Sequence, residues 1–256
     1  MNVIRSFFVA FSMYSKIPMP KTEWTNESMK YCLCFFPAIG AVIGGAELLW
    51  MYLAGKMGVG QILRTAVLVL IPVMITGGIH VDGLLDTADA LSSYKPMEQK
   101  LEILKDSHAG AFAVIVGISY FLLYFGILSE ADLEMVTVLA PGFILSRALS
   151  GFSIVSFRMA KNTGLAATFS DMAVKGRVRI VMALCAVAAS AVMIAVNPAG
   201  GAAGAAGAFL TLFCYRRMAY QKFGGITGDL AGFFLQICEL VMALFVTGAK
   251  FLLLLL

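Results

Sequence analysis

Long blocks of hydrophobic residues alternate with short polar stretches along the 256-residue chain. A bilayer core needs roughly 20 mostly apolar residues per helix. The pattern therefore predicts seven spans, at about 34–54, 62–80, 111–128, 134–156, 179–196, 200–215 and 232–256. The sixth is short and rich in glycine and alanine, which allow close helix packing in lipid. The predicted fold is all-α, a polytopic membrane helix bundle that forms one integral membrane domain over residues 1–256.

The first twenty residues have a different pattern. Apolar side chains recur there with roughly helical spacing, interrupted by Arg5, Ser6 and Ser12. The stretch is as hydrophobic as a signal peptide but has no clear small-residue cleavage site. We predict an amphipathic N-terminal helix that lies in the membrane interface and ends before Pro18.

Composition agrees with a membrane protein. Hydrophobic residues make up 60% of the chain and charged residues 13%, with a mean hydropathy of +0.89. Soluble domains average about 45–50% apolar and about 25% charged residues, so a soluble class is excluded. The five cysteines follow no zinc or redox spacing and are interpreted as small hydrophobic residues.

Positive charge is confined to four segments of the chain. Fifteen of the nineteen Lys and Arg residues precede the first span or lie between spans two and three, four and five, or six and seven. With seven spans, all four segments fall on the same side of the bilayer. Because positive loops face the cytoplasm, we predict a multi-pass protein of the cell membrane whose N-terminus and charged chemistry face the cytoplasm.

The most informative polar motif runs from Thr76 to Ala90. Asp82, Asp86 and Asp89 are spaced i, i+4 and i+7, which places three carboxylates on one face of a helix. Hard oxygen ligands suit Mg²⁺, which usually takes one or two carboxylates together with substrate phosphates. The alternative is a solvated acidic helix end. His80 would lie on the opposite helical face unless Gly77-Gly78 breaks the helix, and it could equally be a hydrogen-bonded histidine at the membrane edge.

A second motif, Lys105 to Gly110, precedes the third span. Asp106 or Ser107 could cap the following helix. A helix N-terminus beside Lys105 could also bind a phosphate. The sequence leaves both interpretations open.

A third motif, Phe223 to Asp229, opens the last span with glycines that allow close approach of a ligand. Further along that span lies Glu239, an ionisable residue inside the membrane and therefore a candidate functional group. The alternative to a functional role is a hydrogen bond to another helix. The most obvious partner of opposite charge for Glu239 is Arg147 in the fourth span. These features together indicate a membrane-embedded, metal-dependent enzyme that acts on phosphates. No nucleotide-binding motif or serine nucleophile elbow is present.

In their order along the chain, these motifs resemble the cobalamin synthase family, the adenosylcobinamide-GDP ribazoletransferases. The resemblance covers nearly the whole chain and rests on the segments Phe11–Pro20, Phe36–Gly40, Gly77–Asp89, Asp106–Gly110, Ser146-Arg147 and Gly224–Asp229, with Glu239. Two residues depart from the family pattern. Ala90 stands where glycine is expected, and Phe233 stands where a small residue is usual.

The resemblance implies that α-ribazole or its 5′-phosphate displaces GMP from adenosylcobinamide-GDP, with Mg²⁺, to give adenosylcobalamin or its phosphate. It assigns Asp82, Asp86 and Asp89 to metal binding and catalysis, with Asp229 as a further metal ligand and Asp86 as a candidate proton acceptor. The candidate substrate-binding residues are His80, Lys105, Ser107, Arg147, Arg217, Thr227 and Glu239. The expected partners are the two substrates and the lipid bilayer, with no nucleic acid, and an oligomer is left open.

Two other functions compete with this interpretation. A CDP-alcohol phosphotransferase of lipid synthesis has similar aspartate spacing, but the arginine of its motif is missing after Asp82-Gly83. A transporter could use Glu239 and Arg147 for an ion path. However, the chain has no evident inverted repeat, and its acidic motif lies at the membrane edge.

Overall fold

The computed structural model describes residues 2–106, 108–161 and 163–255, without the side chain of Asn2. Over these residues the chain is helical. The α-helices are α1 (Asn2–Tyr14), α2 (Asn26–Met29), α3 (Phe36–Met57), α4 (Gln61–Thr76), α5 (Ile79–Ser92), α6 (Met97–Ile103), α7 (Ala111–Ser129), α8 (Leu133–Ser156), α9 (Leu165–Met172), α10 (Lys175–Val196), α11 (Pro198–Phe223) and α12 (Gly228–Leu254). A 3₁₀ helix, Cys32–Phe35, leads into α3.

Five helices are long and apolar enough to cross a membrane, namely α3 with its 3₁₀ extension, α7, α8, α10 and α12. Helices α4 and α5 make a sixth span only if the bent pair counts as one. The predicted membrane helix bundle is confirmed, but the count of seven is not. The sixth predicted span lies in α11, which is long, but its many Gly and Ala residues contribute little hydropathy.

Helix α8 lies at the centre of the bundle. Its most apolar 18-residue stretch is 83% buried, against 28–50% for the other four spans. Helix α3 packs closely on it, because a Cβ at Gly40 would lie 2.2 Å from Phe143 O and one at Gly44 would lie 2.4 Å from Ala140 O. Small residues four apart are a common device for helix contact in lipid.

Helix α11 packs through its glycines, as the sequence predicts. A Cβ at Gly204 would lie 2.9 Å from a methyl of Val246, and one at Gly207 would lie 3.2 Å from the ring of Phe245. Both partners are on α12. The glycine and alanine residues that lower the hydropathy of α11 are therefore the ones that allow it to pack against α12.

The interhelical turns meet at the two ends of the bundle. At one end Gln61 Nε2 donates to Ser129 O at 2.5 Å, Asn197 Nδ2 donates to Glu134 Oε1 at 2.8 Å, and Lys250 Nζ lies 2.8 Å from Asp132 Oδ2. At the other end lie α5 and the start of α12. The predicted charged segments therefore share this second end.

Helix α1 is the predicted N-terminal helix, and it ends at Tyr14, before Pro18. It buries Val9, Ala10 and Phe11 and exposes the polar residues Arg5 and Ser12, as an amphipathic helix should. Just after it, the Lys16 N–H donates to Ile75 O at 2.7 Å. The N-terminal segment is thereby attached to the end of α4, beside the break between α4 and α5.

Candidate active site

Two glycines turn the chain sharply after α4. Gly77 and Gly78 have φ angles of +67° and +80°, which L-residues with a Cβ rarely adopt. The two helices they join are bent by 95°. The predicted second span therefore ends at Thr76, and the acidic motif lies on a separate helix, α5, at the charged end of the bundle.

Glycines also bring α5 against α12. A Cβ at Gly83 would lie only 2.5 Å from Asp229 O, and one at Gly232 would lie 3.2 Å from His80 O. Any larger side chain would separate the two helices. This close approach explains why Asp82 and Asp229, which are far apart in sequence, come to line one cavity.

The cavity has a volume of about 300 Å³ and opens at the charged end. Its mouth carries exposed or half-buried polar residues: Asp82, Lys105, Lys161, Thr227 and Asp229. Its closed end is formed by buried residues of α3, α5, α8 and α12. Two carboxylates and two lysines therefore share the entrance.

The loop that carries Lys161 is held against the loop that opens α12. The Ile226 N–H donates to Arg158 O and the Ala160 N–H donates to Ile226 O, both at 2.9 Å. Lys161 Nζ also donates to Leu101 O at 2.5 Å. Partial burial, and after it the charge of Lys105, lower the pKa of Lys161. Lys161 is therefore held at the mouth by its own contact with α6 and by the hydrogen bonds of its loop neighbours to Ile226.

Helix α12 begins at the cavity. Thr227 caps it, because its hydroxyl oxygen accepts a hydrogen bond from the Leu230 N–H at 3.2 Å. The positive end of the helix dipole, together with two lysines, makes this mouth favourable for a phosphate group. Thr227 and Lys105 therefore lie where the sequence predicts substrate contacts.

The three aspartates of α5 have different surroundings. Asp82 lines the cavity, whereas Asp86 and Asp89 do not. Burial, followed by the charges of Asp82 and Asp229, raises the pKa of Asp86 to about 6. Asp89 accepts from the Gly110 N–H at 2.5 Å and from the Ala113 N–H at 2.8 Å. Asp89 therefore caps the start of α7.

A model of the cobalamin-5-phosphate synthase family matches residues 6–247. The chain belongs to this family. The chain is 48% identical to a protein of Lachnoclostridium phytofermentans, with 98% of this chain and 96% of the relative covered. It is 31% identical to one of Clostridium botulinum (94% and 96% covered) and 32% identical to one of Desulfitobacterium hafniense (97% and 98% covered). All three relatives are named adenosylcobinamide-GDP ribazoletransferase. No solved structure matches the chain.

The donor atoms at the mouth decide whether a metal ion fits there. Among the described residues, no group of three or more His, Cys, Asp or Glu side chains is placed to hold a metal ion. Asp82 and Asp229 nevertheless share the cavity mouth. Mg²⁺ usually binds through one or two carboxylates plus substrate phosphates. The two carboxylates therefore fit a magnesium ion that arrives with a phosphate-bearing substrate, and they do not form a closed cage.

The segment before α7 does not cap that helix through Asp106, which the sequence offered as a candidate cap. Asp106 accepts hydrogen bonds from the N–H of His108 at 3.0 Å and pairs with its ring Nδ1 at 2.8 Å. The residue that precedes α7 is Gly110, and the capping carboxylate comes from Asp89 instead. Ser107, a predicted substrate-binding residue, lies outside the described residues.

Two of the other predicted substrate contacts form an ion pair in the bundle core, away from the cavity. Arg147 Nη1 donates to Glu239 Oε1, so their predicted pairing is confirmed. Arg217 is exposed on α11 and does not line the cavity. Its neighbour Arg216 lies over the rings of Phe157 and Tyr220, at 5.3 and 5.4 Å.

His80, in the first turn of α5, lines the cavity together with Asp82. Sequence reasoning missed two other residues of the cavity, Lys161 and Ser150. Lys161 is one of five basic residues between the fourth and fifth predicted spans, and Ser150 is one of four serines in α8. Neither stands out by spacing, since only the contact between distant segments brings them to the cavity.

Proposed function

We propose that this chain is an adenosylcobinamide-GDP ribazoletransferase. It joins adenosylcobinamide-GDP to α-ribazole, or to its 5′-phosphate, giving adenosylcobalamin or its phosphate and releasing GMP. The observation that carries the proposal is the cavity mouth, which Asp82 and Asp229 share with Lys105 and Lys161. The names of relatives that match almost the full chain support it. The alternatives, a CDP-alcohol phosphotransferase and a transporter, have no such support.

The reaction is a phosphoryl-type transfer. A ribose hydroxyl attacks the phosphorus that is attached to the corrinoid, a new phosphorus–oxygen bond forms, and the bond to GMP breaks. The hydroxyl gives up its proton, and GMP leaves with the bonding electron pair. Such a transfer depends on in-line positioning and on neutralisation of the phosphate charges. A cavity with two lysines at its mouth supports both requirements.

The residues of the mouth divide these tasks. Lys105 and Lys161 neutralise the diphosphate of the corrinoid substrate, and the start of α12 at Thr227 adds the positive end of a helix dipole. The candidate acceptor for the hydroxyl proton is the aspartate that follows Asp82 on the same face of α5. Asp86, one turn further along α5, has a pKa of about 6. A base whose pKa lies near neutral pH is well suited to accept a proton.

We further propose that the enzyme uses Mg²⁺ and that Asp82 and Asp229 hold it. A bound magnesium ion would reduce the negative charge of the substrate phosphates. Asp89 is a weaker candidate ligand, because its carboxylate already accepts two backbone hydrogen bonds. The metal requirement is tested by magnesium titration and by its reversal with a chelator.

We propose that the protein lies in the cell membrane and that the charged end of the bundle faces the cytoplasm. Most of the Lys and Arg residues lie in the segments that meet at this end, and positive loops are retained on the cytoplasmic side. The cavity opens at the same end, so both nucleotide substrates would reach it from the cytoplasm.

Turnover by the purified protein in detergent tests the function. Adenosylcobinamide-GDP, α-ribazole and Mg²⁺ are supplied, and GMP and the corrinoid product are both measured. We expect magnesium-dependent product, and a loss of at least a hundredfold in Asp82→Asn. Asp171→Asn is the matched control, because Asp171 is exposed and lies on α9, outside the cavity. It should retain normal turnover.

Two results would contradict the proposal. A folded protein that makes no product beside an active control enzyme would redirect the work to CDP-alcohol substrates and then to transport assays. Near-normal turnover in Asp82→Asn would remove that carboxylate from the mechanism even if the reaction itself occurs.

A further inference from the structure

Two buried polar atoms, each on a residue that lines the cavity, have no hydrogen-bond partner among the described residues. They are Nε2 of His80 and Oγ of Ser150, in side chains whose residues are 5% and 1% exposed. Buried polar groups are almost always hydrogen-bonded. Two unsatisfied atoms in the wall of one cavity therefore indicate a ligand that satisfies them.

The surroundings of these atoms are apolar and aromatic. The closed end includes Phe36, Ile154 and Leu235, each at most 3% exposed. The rings of Tyr14 and Phe36 lie 4.5 Å apart, and the ring of Phe36 meets that of His80 edge-on at 5.8 Å. Such a wall favours a flat aromatic group that stacks on or abuts the rings. The group should have few hydrogen-bonding atoms of its own.

The size of the cavity limits the ligand further. A volume of about 300 Å³ lies at the lower end of the range for small-molecule sites. A nucleoside made of two fused rings and one sugar fits that space. A corrin macrocycle with its side chains does not, so the corrinoid must remain outside the mouth.

We propose that the closed end of this cavity binds the base of the ribazole. This inference rests on the proposed function. The Ser150 hydroxyl donates to the one free ring nitrogen of the benzimidazole, and the two fused rings pack on Phe36, Ile154 and Leu235. His80, two residues from Asp82 on α5, contacts the ribose, which extends toward the mouth. The reacting hydroxyl is thereby directed to the carboxylates and lysines.

The guanosine of adenosylcobinamide-GDP is also an aromatic nucleoside, but it fits this end less well. Guanine has several donors and acceptors along its edges, and each would be left unpaired in an apolar wall at a cost. The wall offers two unpartnered polar side-chain atoms among the described residues. A benzimidazole exposes a single ring nitrogen and an otherwise apolar edge.

The test uses the full-length protein and Ser150→Ala, which suits a helix and removes one oxygen. We expect the KM for α-ribazole to rise five- to tenfold, with the KM for adenosylcobinamide-GDP unchanged. Ser153→Ala is the matched control, because Ser153 is buried on the same helix but does not line the cavity. It should change neither KM.

A ribazole analogue in which carbon replaces the free ring nitrogen gives a second, independent measurement. The parent protein should have a five- to tenfold higher KM for this analogue, and Ser150→Ala should treat both nucleosides alike. An increase only in the KM for adenosylcobinamide-GDP would assign the closed end to guanosine and overturn the proposal. Unchanged constants for both substrates would also overturn it. An inactive parent protein would instead count against the proposed function.

Discussion

Arg147 Nη1 lies 2.5 Å from Glu239 Oε1, and the two side chains are 1% and 2% exposed. Ser146 completes the cluster, because its hydroxyl donates to Glu239 Oε1 at 3.0 Å. The pair joins α8 to α12, and each helix also contributes to the cavity wall, through Ser150 and Leu235 within about one turn of the pair. The ion pair therefore holds two walls of the cavity in register.

Removal of one partner of this ion pair should lower the stability of the protein to unfolding. In Glu239→Gln the buried Arg147 charge loses its paired carboxylate, and such losses typically cost about 3–5 kcal/mol. The measurement is thermal or chemical unfolding in detergent. Turnover should fall as well, because the walls that α8 and α12 provide are no longer fixed.

The double variant Arg147→Met, Glu239→Leu is the control for this prediction. It removes both charges together, and we expect it to recover most of the stability lost in the single variant. Glu239→Gln could instead have the stability of the parent protein and a higher KM for a substrate. The pair would then be a substrate contact, as the sequence alone suggests, and the proposed structural role would be rejected.

The fold was largely predictable, because the length of an apolar block directly reflects the thickness of the bilayer. The pairing of Arg147 with Glu239 was predictable for a related reason: an isolated charge inside a span needs a partner of opposite sign. Hydropathy did not locate the break at Gly77-Gly78, because the predicted second span ran on to residue 80. Only the positive φ angles, which glycine permits, end the span there.

The site was predictable in part. Asp82 and Asp229 reach one cavity, but helical spacing could not show that Asp89 points to the start of α7. The spacing i, i+4 and i+7 places the three aspartates on one face of α5, but it does not show which other residues that face contacts. Glu47, buried inside α3, received no attention because no motif accompanies it, although an acidic residue within a span is itself a signal.

The contact between Gly83 and Asp229 gives a second prediction. In Gly83→Ala the new Cβ would meet Asp229 O at 2.5 Å, so α5 must move away from α12. Overpacking of this kind costs about 1–3 kcal/mol, and the displacement separates Asp82 from Asp229. We expect turnover to fall at least tenfold, measured beside the unfolding temperature.

Gly45→Ala is the matched control for this change. Gly45 lies in the interior of α3, and a Cβ there meets nothing within 4 Å. Alanine is favoured over glycine in a helix by about 1 kcal/mol, so this variant should be neutral or slightly more stable. Normal turnover in Gly83→Ala would show that the close approach of the two helices is not needed for activity.

Substitutions of Asp89 and Asp82 should have different effects, the first on stability and the second on turnover. Asp89→Ala removes the acceptor of two N–H groups at the start of α7, and the loss of a helix cap costs about 0.5–2 kcal/mol. Asp82→Ala should leave stability nearly unchanged. Unfolding and turnover are measured for both variants. Unchanged stability in Asp89→Ala, with turnover lost, would return this carboxylate to the proposed metal site.

Lys161 gives a prediction about pH. Partial burial and the nearby Lys105 lower its pKa below the usual 10.5, so its positive charge is lost at a lower pH than for an ordinary lysine. If the charge holds the substrate diphosphate, the KM for adenosylcobinamide-GDP should rise as the pH increases toward that pKa.

Lys161→Arg provides the check, because arginine keeps its charge throughout the accessible range. We expect this variant to bind adenosylcobinamide-GDP at least as well as the parent at alkaline pH, even if its different shape weakens binding near pH 7. Lys222→Arg serves as the control, since Lys222 is exposed and outside the cavity. If the KM for adenosylcobinamide-GDP rises at the same alkaline pH in the parent and in Lys161→Arg, another group sets the pH dependence. Replacing a lysine that contacts the diphosphate by a permanent cation would shift that rise.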